Sequence, residues 1–273
     1  MERLNNNKIA ILGSGNIGLS LAKGIVKSNY CNKEHITLTR RNLKALDSLK
    51  KLGYQVSDQN FDAVAQATVI IITVLPQQLN QLLEQIKGAI IPEHHLVISV
   101  VSGVSCQDIR AKLGSSVPVV RAMPNTAIAI GQSMTCIASV DASVEHLNLV
   151  TAMFETVGSV MQINEDLMTS ATALCACGIA FFLRAVRAAS QGGVEIGFHA
   201  ADALKMATQT AKGAADLLLY MNSHPEQEID KVTSPKGCTI AGLNEMEHNG
   251  FSSSLIKGIK LSAVKASGLY TTE

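Results

Sequence analysis

Three glycines that directly follow an apolar run constrain the fold of this chain most. The run Ile9–Leu12 is apolar enough for a buried parallel strand, and the spacing of residues 19–26 predicts a helix. Between them stand Gly13, Gly15 and Gly18. In such a unit the first glycine allows a sharp turn, the second lets a phosphate approach the backbone, and the third lets helix and strand pack closely. The sequence therefore predicts a phosphate-binding turn near its start.

The beginning of the helix after this turn is suited to the pyrophosphate of a dinucleotide. Its first amides have no partner inside the helix, and the positive end of the helix dipole lies there. The strand before it and the helix after it make this glycine pattern more specific than a glycine-rich turn alone. We therefore expect a dinucleotide to contact Gly13, Ser14, Gly15, Asn16, Ile17 and Gly18.

Apolar runs alternate with helical stretches up to about residue 160, which predicts a parallel sheet flanked by helices. The further predicted strands are 35–39, 68–74, 96–101 and 117–122, and the predicted helices between them are 43–52, 77–86 and Cys106–Leu113. From about Glu165 no further strand is predicted, and three helical stretches follow, 166–191, Ala200–Met221 and 252–267.

The predicted fold class is therefore α/β with two domains. Residues 1–163 are expected to form an N-terminal Rossmann-like dinucleotide-binding domain, and residues 164–273 a C-terminal all-α dimerisation domain. In the second domain, the helix Ala200–Met221 carries only four charged residues, Asp202, Lys205, Lys212 and Asp216, and is apolar on most of its circumference. A helix of this kind needs more partners than one small domain offers, so we expect a homodimer, with a larger ring of dimers as a further level of assembly.

The residues after the second strand predict which dinucleotide binds. An NAD-binding fold usually carries Asp or Glu roughly 20 residues beyond the glycines, where it binds the ribose 2′-hydroxyl. Here Arg40 and Arg41 stand in that place, without an acid beside them. Two guanidinium groups suit a 2′-phosphate, although both could equally begin a solvated helix. NADPH is the predicted cofactor, with NADH as the alternative.

Loops at the carboxyl ends of the later strands are expected to line the nicotinamide half of the cleft. Pro76, Gly103 and Pro124 restrict the backbone in these loops. From the residues alone, a structural turn and a cofactor contact explain the motif RAMPNT at 121–126 equally well. The predicted cofactor contacts in these loops are Val74, Pro76, Ser102, Gly103, Met123, Pro124 and Asn125.

Composition argues against several other classes of protein. A net charge of +1 does not favour a nucleic acid or an anionic membrane as partner. The six cysteines have neither disulfide nor metal-site spacing, so we expect no metal site and a reducing cytoplasm. The uncharged stretch 167–183 is only marginally long for a membrane span and contains Thr169, Ser170 and Thr172. We therefore expect a buried interface helix there.

Residues 232–247 read VTSPKGCTIAGLNEME and predict a turn followed by a helix. Pro235 and Gly237 favour the turn, and Cys238 and Thr239 would open the helix. Free amides at such a helix start can bind a carboxylate, and the Thr239 hydroxyl adds a donor and an acceptor. A pattern of this kind is, by itself, more often a helix cap than a substrate site.

Several of these motifs together resemble pyrroline-5-carboxylate reductase over nearly the whole chain. They are GSGNIG at 13–18, RAMPNT at 121–126, ATAL at 171–174, HPEQEIDKVTSP at 224–235, GCTIAGL at 237–243 and NGFSSSLIKGI at 249–259. The resemblance implies reduction of 1-pyrroline-5-carboxylate to L-proline by NAD(P)H. It also implies that Thr239 is catalytic, through a hydrogen bond to the ring nitrogen, and that the substrate contacts are Val232, Ser234, Gly237, Cys238 and Thr239.

The chain departs from this family in three places. Lys236 stands where the family usually has a second glycine, Cys175–Gly178 (CACG) replaces a serine- and glycine-rich run, and Leu75 stands where lysine often precedes the proline.

Two other functions compete with the reductase. A β-hydroxy acid dehydrogenase would need a lysine within 166–183, which is absent. A non-catalytic NADPH sensor would not need to keep Ser234, Gly237 and Thr239.

Overall fold

The computed structural model describes residues 7–114 and 116–270, and within them the strands form one eight-stranded sheet. The order across the sheet is β3-β2-β1-β4-β5-β6-β7-β8. The strands are β1 Ile9–Leu12, β2 Ile36–Thr39, β3 Gln55–Ser57, β4 Val69–Ile72, β5 Leu96–Ser99, β6 Val119–Met123, β7 Ser133–Ala138 and β8 Gly158–Gln162.

Helices connect these strands and form the rest of the chain. The α-helices are α1 Asn16–Lys27, α2 Asp47–Lys51, α3 Asn60–Ala65, α4 Pro76–Ile86, α5 Cys106–Leu113, α6 Val144–Glu155, α7 Met168–Ala171, α8 Gly178–Glu195, α9 Ala200–Met221, α10 Pro225–Val232, α11 Cys238–His248 and α12 Phe251–Ala266. Between α7 and α8 the helix continues as a π-helical segment, Thr172–Cys177, which we call the π segment.

Strands β1 to β6 are parallel, and their connections run outward in both directions from the centre of the sheet. The chain passes from β1 to β2 and β3 on one side, then returns to β4 beside β1 and continues to β6. The strand order therefore reverses between β1 and β4. In open α/β sheets, ligands bind at the carboxyl ends of the strands at such a reversal. The predicted parallel sheet and its Rossmann-like topology are confirmed.

The central strands are buried on both faces, because helices cover the sheet on each side. Along β1, Ile9 and Ile11 pack into one apolar cluster with Leu21 of α1. The alternate residue Leu12 packs into a second cluster, with Leu83 of α4. This arrangement explains why β1 reads as a continuous apolar run instead of an alternating one.

Three strands were not predicted from the sequence, and each lies towards an edge of the sheet. β3 has only three residues, and β8 reads GSVMQ with mostly exposed side chains, so neither shows a buried apolar run. β7 pairs antiparallel with β6, and β8 pairs parallel with β7, which extends the predicted parallel sheet with a reversed strand pair. Gly131, at a φ of 71° before β7, provides the left-handed turn that reverses the chain.

Most predicted helices are present, with changes at their ends. The predicted helix 43–52 begins as a 3₁₀ turn, Leu43–Leu46, and continues as α2. The predicted helix 166–191 consists of a 3₁₀ turn, α7, the π segment and α8. Helices α3, α6 and α10 were missed, since they are short or lie between segments that were left unassigned. No strand lies beyond Gln162 within residues 163–270, as predicted.

The chain divides into two compact units. One consists of the residues up to Cys177 together with those from Ser262 onwards, and the other is Gly178–Leu261. The last turns of α12 therefore belong with the sheet, which no local sequence pattern indicated. The two compact units are divided at Cys177/Gly178 and at Leu261/Ser262, whereas the predicted domain boundary lies between residues 163 and 164. Compact units and domains need not coincide, so the predicted domain boundary stays a prediction.

The helical unit exposes many large apolar side chains. They lie on α8, α9, α11 and the first part of α12, and include Phe182, Leu183, Val194, Leu204, Met206, Leu217, Leu219, Met246, Phe251, Ile256 and Leu261. Within the described residues, one helical stretch, Glu165–Glu195, is long and apolar enough to cross a membrane by length and composition. Exposed apolar surface of this extent on one unit marks a region that another surface covers.

A buried ion pair joins β6, α5 and the segment before α7. The Glu165 carboxylate accepts hydrogen bonds from the Arg121 guanidinium at 3.3 Å and from the Cys106 amide at 2.7 Å. The Arg121 and Glu165 side chains are only 7% and 16% exposed. Burial, with the negative charge of Glu165 nearby, raises the pKa of the Cys106 thiol to about 12.

We predict that Glu165→Gln lowers the free energy of unfolding by about 3 kcal/mol, because the buried Arg121 would lose its counter-charge. Glu155→Gln is the matched control, since Glu155 is exposed at the end of α6. Urea unfolding followed by circular dichroism measures both variants. Equal midpoints for the two variants would contradict the structural importance of this ion pair.

Candidate dinucleotide site and substrate loop

The glycine turn has the strand–turn–helix geometry that the sequence predicts. Gly13 lies at the end of β1 with a φ of +84°, a conformation that favours glycine. At Gly18, in the first turn of α1, a Cβ atom would lie 2.8 Å from Thr73 Oγ1 and 2.9 Å from Ile11 Cγ2. The packing of the protein therefore requires both glycines.

Gly15 differs from these two glycines, because the protein itself leaves room for a side chain there. Its φ is −91°, and a Cβ atom would meet only the Gly13 carbonyl oxygen, at 3.8 Å. Gly15 also caps α1 without a side-chain hydrogen bond, so the first amides of the helix are available to a ligand. The open space at Gly15 fits the backbone approach of a phosphate.

A cleft of about 660 Å³ opens above the glycine turn, and we call it the glycine-turn cleft. Of the predicted cofactor residues, the ones that line it are Gly13, Ser14, Gly15, Asn16, Ile17, Arg40, Arg41 and Val74. It is also lined by residues that were not predicted as cofactor contacts, namely Thr39, Asn42, Asp58, Asn60, Thr73, Leu75, Gln78, Gln81, Leu82 and Gln85. Its size suits a nucleotide, since ligand pockets commonly span ~300–1,000 Å³.

The two arginines lie at the carboxyl end of β2, beside the glycine turn. Arg40 donates a hydrogen bond from Nη1 to the Ser14 carbonyl at 3.4 Å, and its own amide binds the Ser57 carbonyl at 3.1 Å. Both arginine side chains are exposed to the cleft. The same cleft contains Asp58, which follows the neighbouring strand β3. One carboxylate therefore accompanies the two guanidinium groups.

A chain of polar side chains forms another wall of the cleft. The buried Thr39 hydroxyl donates to Asn60 Oδ1 at 2.6 Å, and Asn60 Nδ2 donates to Gln85 Oε1 at 3.1 Å. These groups come from β2, α3 and α4, which are far apart in the sequence. Only their common position beside the carboxyl ends of the strands could have identified them, and that position cannot be inferred without knowing the order of the strands in the sheet.

The remaining predicted cofactor residues do not line the glycine-turn cleft. Pro76 opens α4, and Gly103 has a φ of +79° with the Ala266 carbonyl 3.0 Å from where a Cβ atom would lie. Met123 and Pro124 are buried. The other three residues are Gly18, Asn125 and Ser102, whose hydroxyl lies 3.8 Å from Met123 Sδ. Their contact with a cofactor stays a prediction.

Asn125 connects the end of β6 to the π segment. Its Oδ1 accepts from the Ala127 amide at 3.0 Å, and its Nδ2 donates to the Cys175 carbonyl at 3.4 Å. π-Helical turns occur frequently at functional sites. The CACG departure therefore lies where the chain is both irregular and in contact with a predicted cofactor residue.

The segment 232–239, which we call the substrate loop, has the predicted turn and helix start. The Gly237 amide donates to the Ser234 carbonyl at 2.9 Å, and α11 begins at Cys238 with Gly237 as its cap. A Cβ atom at Gly237 would lie 3.0 Å from the Ser234 carbonyl oxygen. Val232 and Cys238 are exposed and Thr239 is half-buried, so the predicted substrate residues lie together in one accessible connection.

Lys236 occupies the left-handed region in this turn, with a φ of 58°. This conformation costs a residue with a side chain about 1–2 kcal/mol and costs glycine almost nothing. The backbone geometry thus gives a physical reason for the glycine that the family resemblance leads us to expect there.

Comparison with known proteins identifies the family. A family model described as pyrroline-5-carboxylate reductase dimerisation matches residues 165–269, and one described as NADP oxidoreductase, coenzyme F420-dependent, matches residues 8–103. Pyrroline-5-carboxylate reductase 2 of Dictyostelium discoideum is 50% identical over 96% of this chain and 93% of its own length. The chain belongs to the pyrroline-5-carboxylate reductase family.

Two further relatives agree with this family. Pyrroline-5-carboxylate reductase 1 of Dictyostelium discoideum is 53% identical over 98% of this chain, which spans about half (51%) of that relative. The crystal structure of the Plasmodium falciparum pyrroline carboxylate reductase, with NADP bound, is 24% identical. It superposes with a TM-score of 0.89 over 98% of this chain and 99% of its own and shows the same fold.

These comparisons confirm the predicted family and fold class, and the reaction class of NAD(P)H-dependent reductases that act on an imine. The individual site residues stay predictions. Within residues 7–114 and 116–270, no group of three or more His, Cys, Asp or Glu side chains could hold a metal ion, and all six cysteines are free.

We predict that Gly15→Ala weakens NADPH binding about tenfold or more and leaves the thermal stability of the cofactor-free protein unchanged. The added methyl group has room in the protein but occupies the space of the phosphate. Fluorescence titration with NADPH and a thermal melt measure the two effects. Gly18→Ala is the contrasting variant, because its methyl group would crowd Thr73 and Ile11 and lower the melting temperature. Unchanged NADPH affinity in Gly15→Ala would contradict the phosphate site.

Proposed function

We propose that this chain reduces 1-pyrroline-5-carboxylate to L-proline with NADPH, the last step of proline biosynthesis. The observation that carries the proposal is the glycine-turn cleft, with its open space at Gly15 and its two arginines, in a chain of this family. The substrate loop supports the same reaction, since it offers the amides and the hydroxyl that a small carboxylate needs.

The residues of the glycine-turn cleft fit NADPH. The amides that open α1, with Gly15 before them, suit the pyrophosphate, and Arg40 and Arg41 suit the 2′-phosphate. Asp58 provides a carboxylate that could bind an unphosphorylated ribose, which keeps NADH as the alternative cofactor. The NADP bound in the Plasmodium falciparum relative favours NADPH. When bound, the cofactor supplies the hydride for the imine carbon.

The substrate loop would hold and orient the substrate. The amides of Cys238 and Thr239 at the start of α11 suit the carboxylate, and Ser234 adds a second hydroxyl. The Thr239 hydroxyl would hydrogen-bond the ring nitrogen. A protonated imine is already electrophilic, so orientation supplies most of the rate enhancement that the protein must provide. A covalent intermediate is not required.

The remaining cofactor contacts belong to the nicotinamide half of the site in this proposal. They are Val74, Pro76, Ser102, Gly103, Met123, Pro124 and Asn125, together with Gly18 as a packing residue of the glycine turn. Apart from Gly18, which lies in the first turn of α1, they lie at the carboxyl ends of β4, β5 and β6 or within four residues after those ends, where a ligand of this fold is expected.

The exposed apolar side chains of the helical unit favour a homodimer, and the family model for dimerisation covers these helices. A partner subunit would cover Glu165–Glu195, so we propose an interface helix and no membrane span. A larger ring of dimers stays a prediction. Six free cysteines support a reducing compartment, and we propose the cytoplasm.

The decisive test is the oxidation of NADPH at fixed pyrroline-5-carboxylate concentration, with proline identified as the product. We predict that Thr239→Ala lowers kcat/KM about tenfold, because one hydrogen bond to the reacting ring is lost, and that the melting temperature stays unchanged. Thr239→Ser is the matched control, which keeps the hydroxyl and should retain most of the activity. Wild-type NADPH binding without turnover would contradict the proposed function, and full activity of Thr239→Ala would remove Thr239 from the mechanism.

Cofactor preference tests the two arginines separately. We predict that the double variant Arg40→Ala/Arg41→Ala lowers kcat/KM for NADPH about tenfold or more and changes that for NADH less than about twofold, because only NADPH carries the 2′-phosphate. Lys44→Ala is the control, since Lys44 is an exposed cation of the same segment that does not line the cleft. Equal losses with both cofactors would contradict a role in 2′-phosphate binding.

A further inference from the structure

Two cysteines that are far apart in the sequence lie close together in the fold, one on β7 and the other in the π segment. Cys136 is buried on β7, and Cys175 is partly exposed in the π segment. Their Sγ atoms lie 4.0 Å apart, within hydrogen-bond distance for sulfur. They are 39 residues apart in the chain, so only the fold brings them together.

This pair of thiols borders the turn after β6 from two sides. Cys136 lies directly opposite Met123 in the antiparallel ladder of β6 and β7. The backbone carbonyl of Cys175 accepts the hydrogen bond from the Asn125 side chain at 3.4 Å. A change in the separation of the two sulfur atoms therefore acts on a turn that contains three predicted cofactor contacts.

Cys175 also differs in reactivity from the buried cysteines Cys31, Cys106 and Cys136. A hydrogen bond from the Cys136 thiol lowers the pKa of Cys175 to about 7, and the same hydrogen bond, together with burial, raises the pKa of Cys136. Burial raises the pKa of Cys31 to about 11 and that of Cys106 to about 12. Since the thiolate is the nucleophile in thiol chemistry, Cys175 is the reactive member of the pair.

We propose that Cys136 and Cys175 form a reversible intramolecular disulfide when the protein is exposed to a peroxide. The Cys175 thiolate attacks one peroxide oxygen, the O–O bond breaks, and a sulfenic acid and hydroxide form, the hydroxide becoming water with one proton. The Cys136 sulfur then attacks the Cys175 sulfur, loses its proton and displaces a second water. Overall, two thiols are oxidised to one disulfide while hydrogen peroxide is reduced to two waters.

The bond requires the π segment to move towards β7. A disulfide has an S–S length of about 2.05 Å, so the sulfur atoms must approach each other by roughly 2 Å. β7 is held by ladders to β6 and β8, whereas the π segment is an irregular helical turn. The movement would change the contact between Asn125 and the Cys175 carbonyl. The expected effect on NADPH rests on the proposed cofactor site, but the disulfide itself does not.

The protein is treated with hydrogen peroxide, its remaining thiols are blocked with N-ethylmaleimide, and its peptides are analysed by mass spectrometry. We expect a peptide that links Cys136 to Cys175, which disappears after treatment with dithiothreitol. Cys177→Ala, two residues from Cys175 in the same segment, is the matched control and should form the same link. The proposal is overturned if both thiols stay reduced while the exposed Cys238 is oxidised, or if Cys175 links to another cysteine.

The consequence for the cofactor is measured on intact portions of the peroxide-treated protein, set aside before the thiols are blocked. We expect the oxidised protein to bind NADPH about fivefold more weakly, the size expected for one lost hydrogen bond, with recovery after dithiothreitol. Cys136→Ala and Cys175→Ala should each bind NADPH equally well before and after peroxide treatment. Complete disulfide formation with unchanged NADPH affinity would contradict the coupling to the turn after β6. Neither measurement depends on the enzymatic activity of the protein.

Discussion

Hydrogen bonds from the neighbouring strands to the glycine turn hold the candidate site in place. The Ser14 amide donates to the Thr39 carbonyl at 2.9 Å, and the Thr73 hydroxyl lies 3.0 Å and 2.9 Å from the carbonyls of Leu12 and Gly13. Backbone groups that leave a sheet need new partners, because burying them unpaired is costly. The ends of β2 and β4 supply those partners, so the turn is ordered before any ligand binds. The order of strands in the sheet therefore determines the shape of the glycine turn.

The glycine turn also separates the demands of folding from those of binding. Gly13 is required by its positive φ and Gly18 by the close contact of α1 with β1 and Thr73, whereas the protein has room for a side chain at Gly15. The substrate loop shows the opposite situation, since Lys236 occupies a backbone conformation that suits glycine better. Backbone geometry therefore explains why glycine is needed at 13 and 18, and why glycine would suit position 236. It does not explain the glycine at 15, which leaves ligand binding as the reason for it.

Local patterns identified much of the fold and of the candidate site. The buried strands β1, β2, β4, β5 and β6 were predictable because each is a short apolar run between turn residues, and the glycine turn and Arg40 were predictable from their spacing. The edge strands β3 and β8 were not predictable, since partly exposed strands lack such a run. Asp58 was missed for the same reason. It follows β3, and only the pairing of β3 with β2 brings it into the cleft with Arg40.

The sequence by itself determined the family, the α/β fold class with its helical second part, and the glycine turn after β1, because these depend on residues close together in the chain. The tertiary structure decided which strand ends are neighbours, and hence that Asn60 and Gln85 share a wall with Thr39. It also decided that Cys136 and Cys175 lie beside the turn after β6. Contacts of this kind depend on the order of the strands and on the path of the helices across the sheet. The residues next to a position in the sequence do not determine either of these.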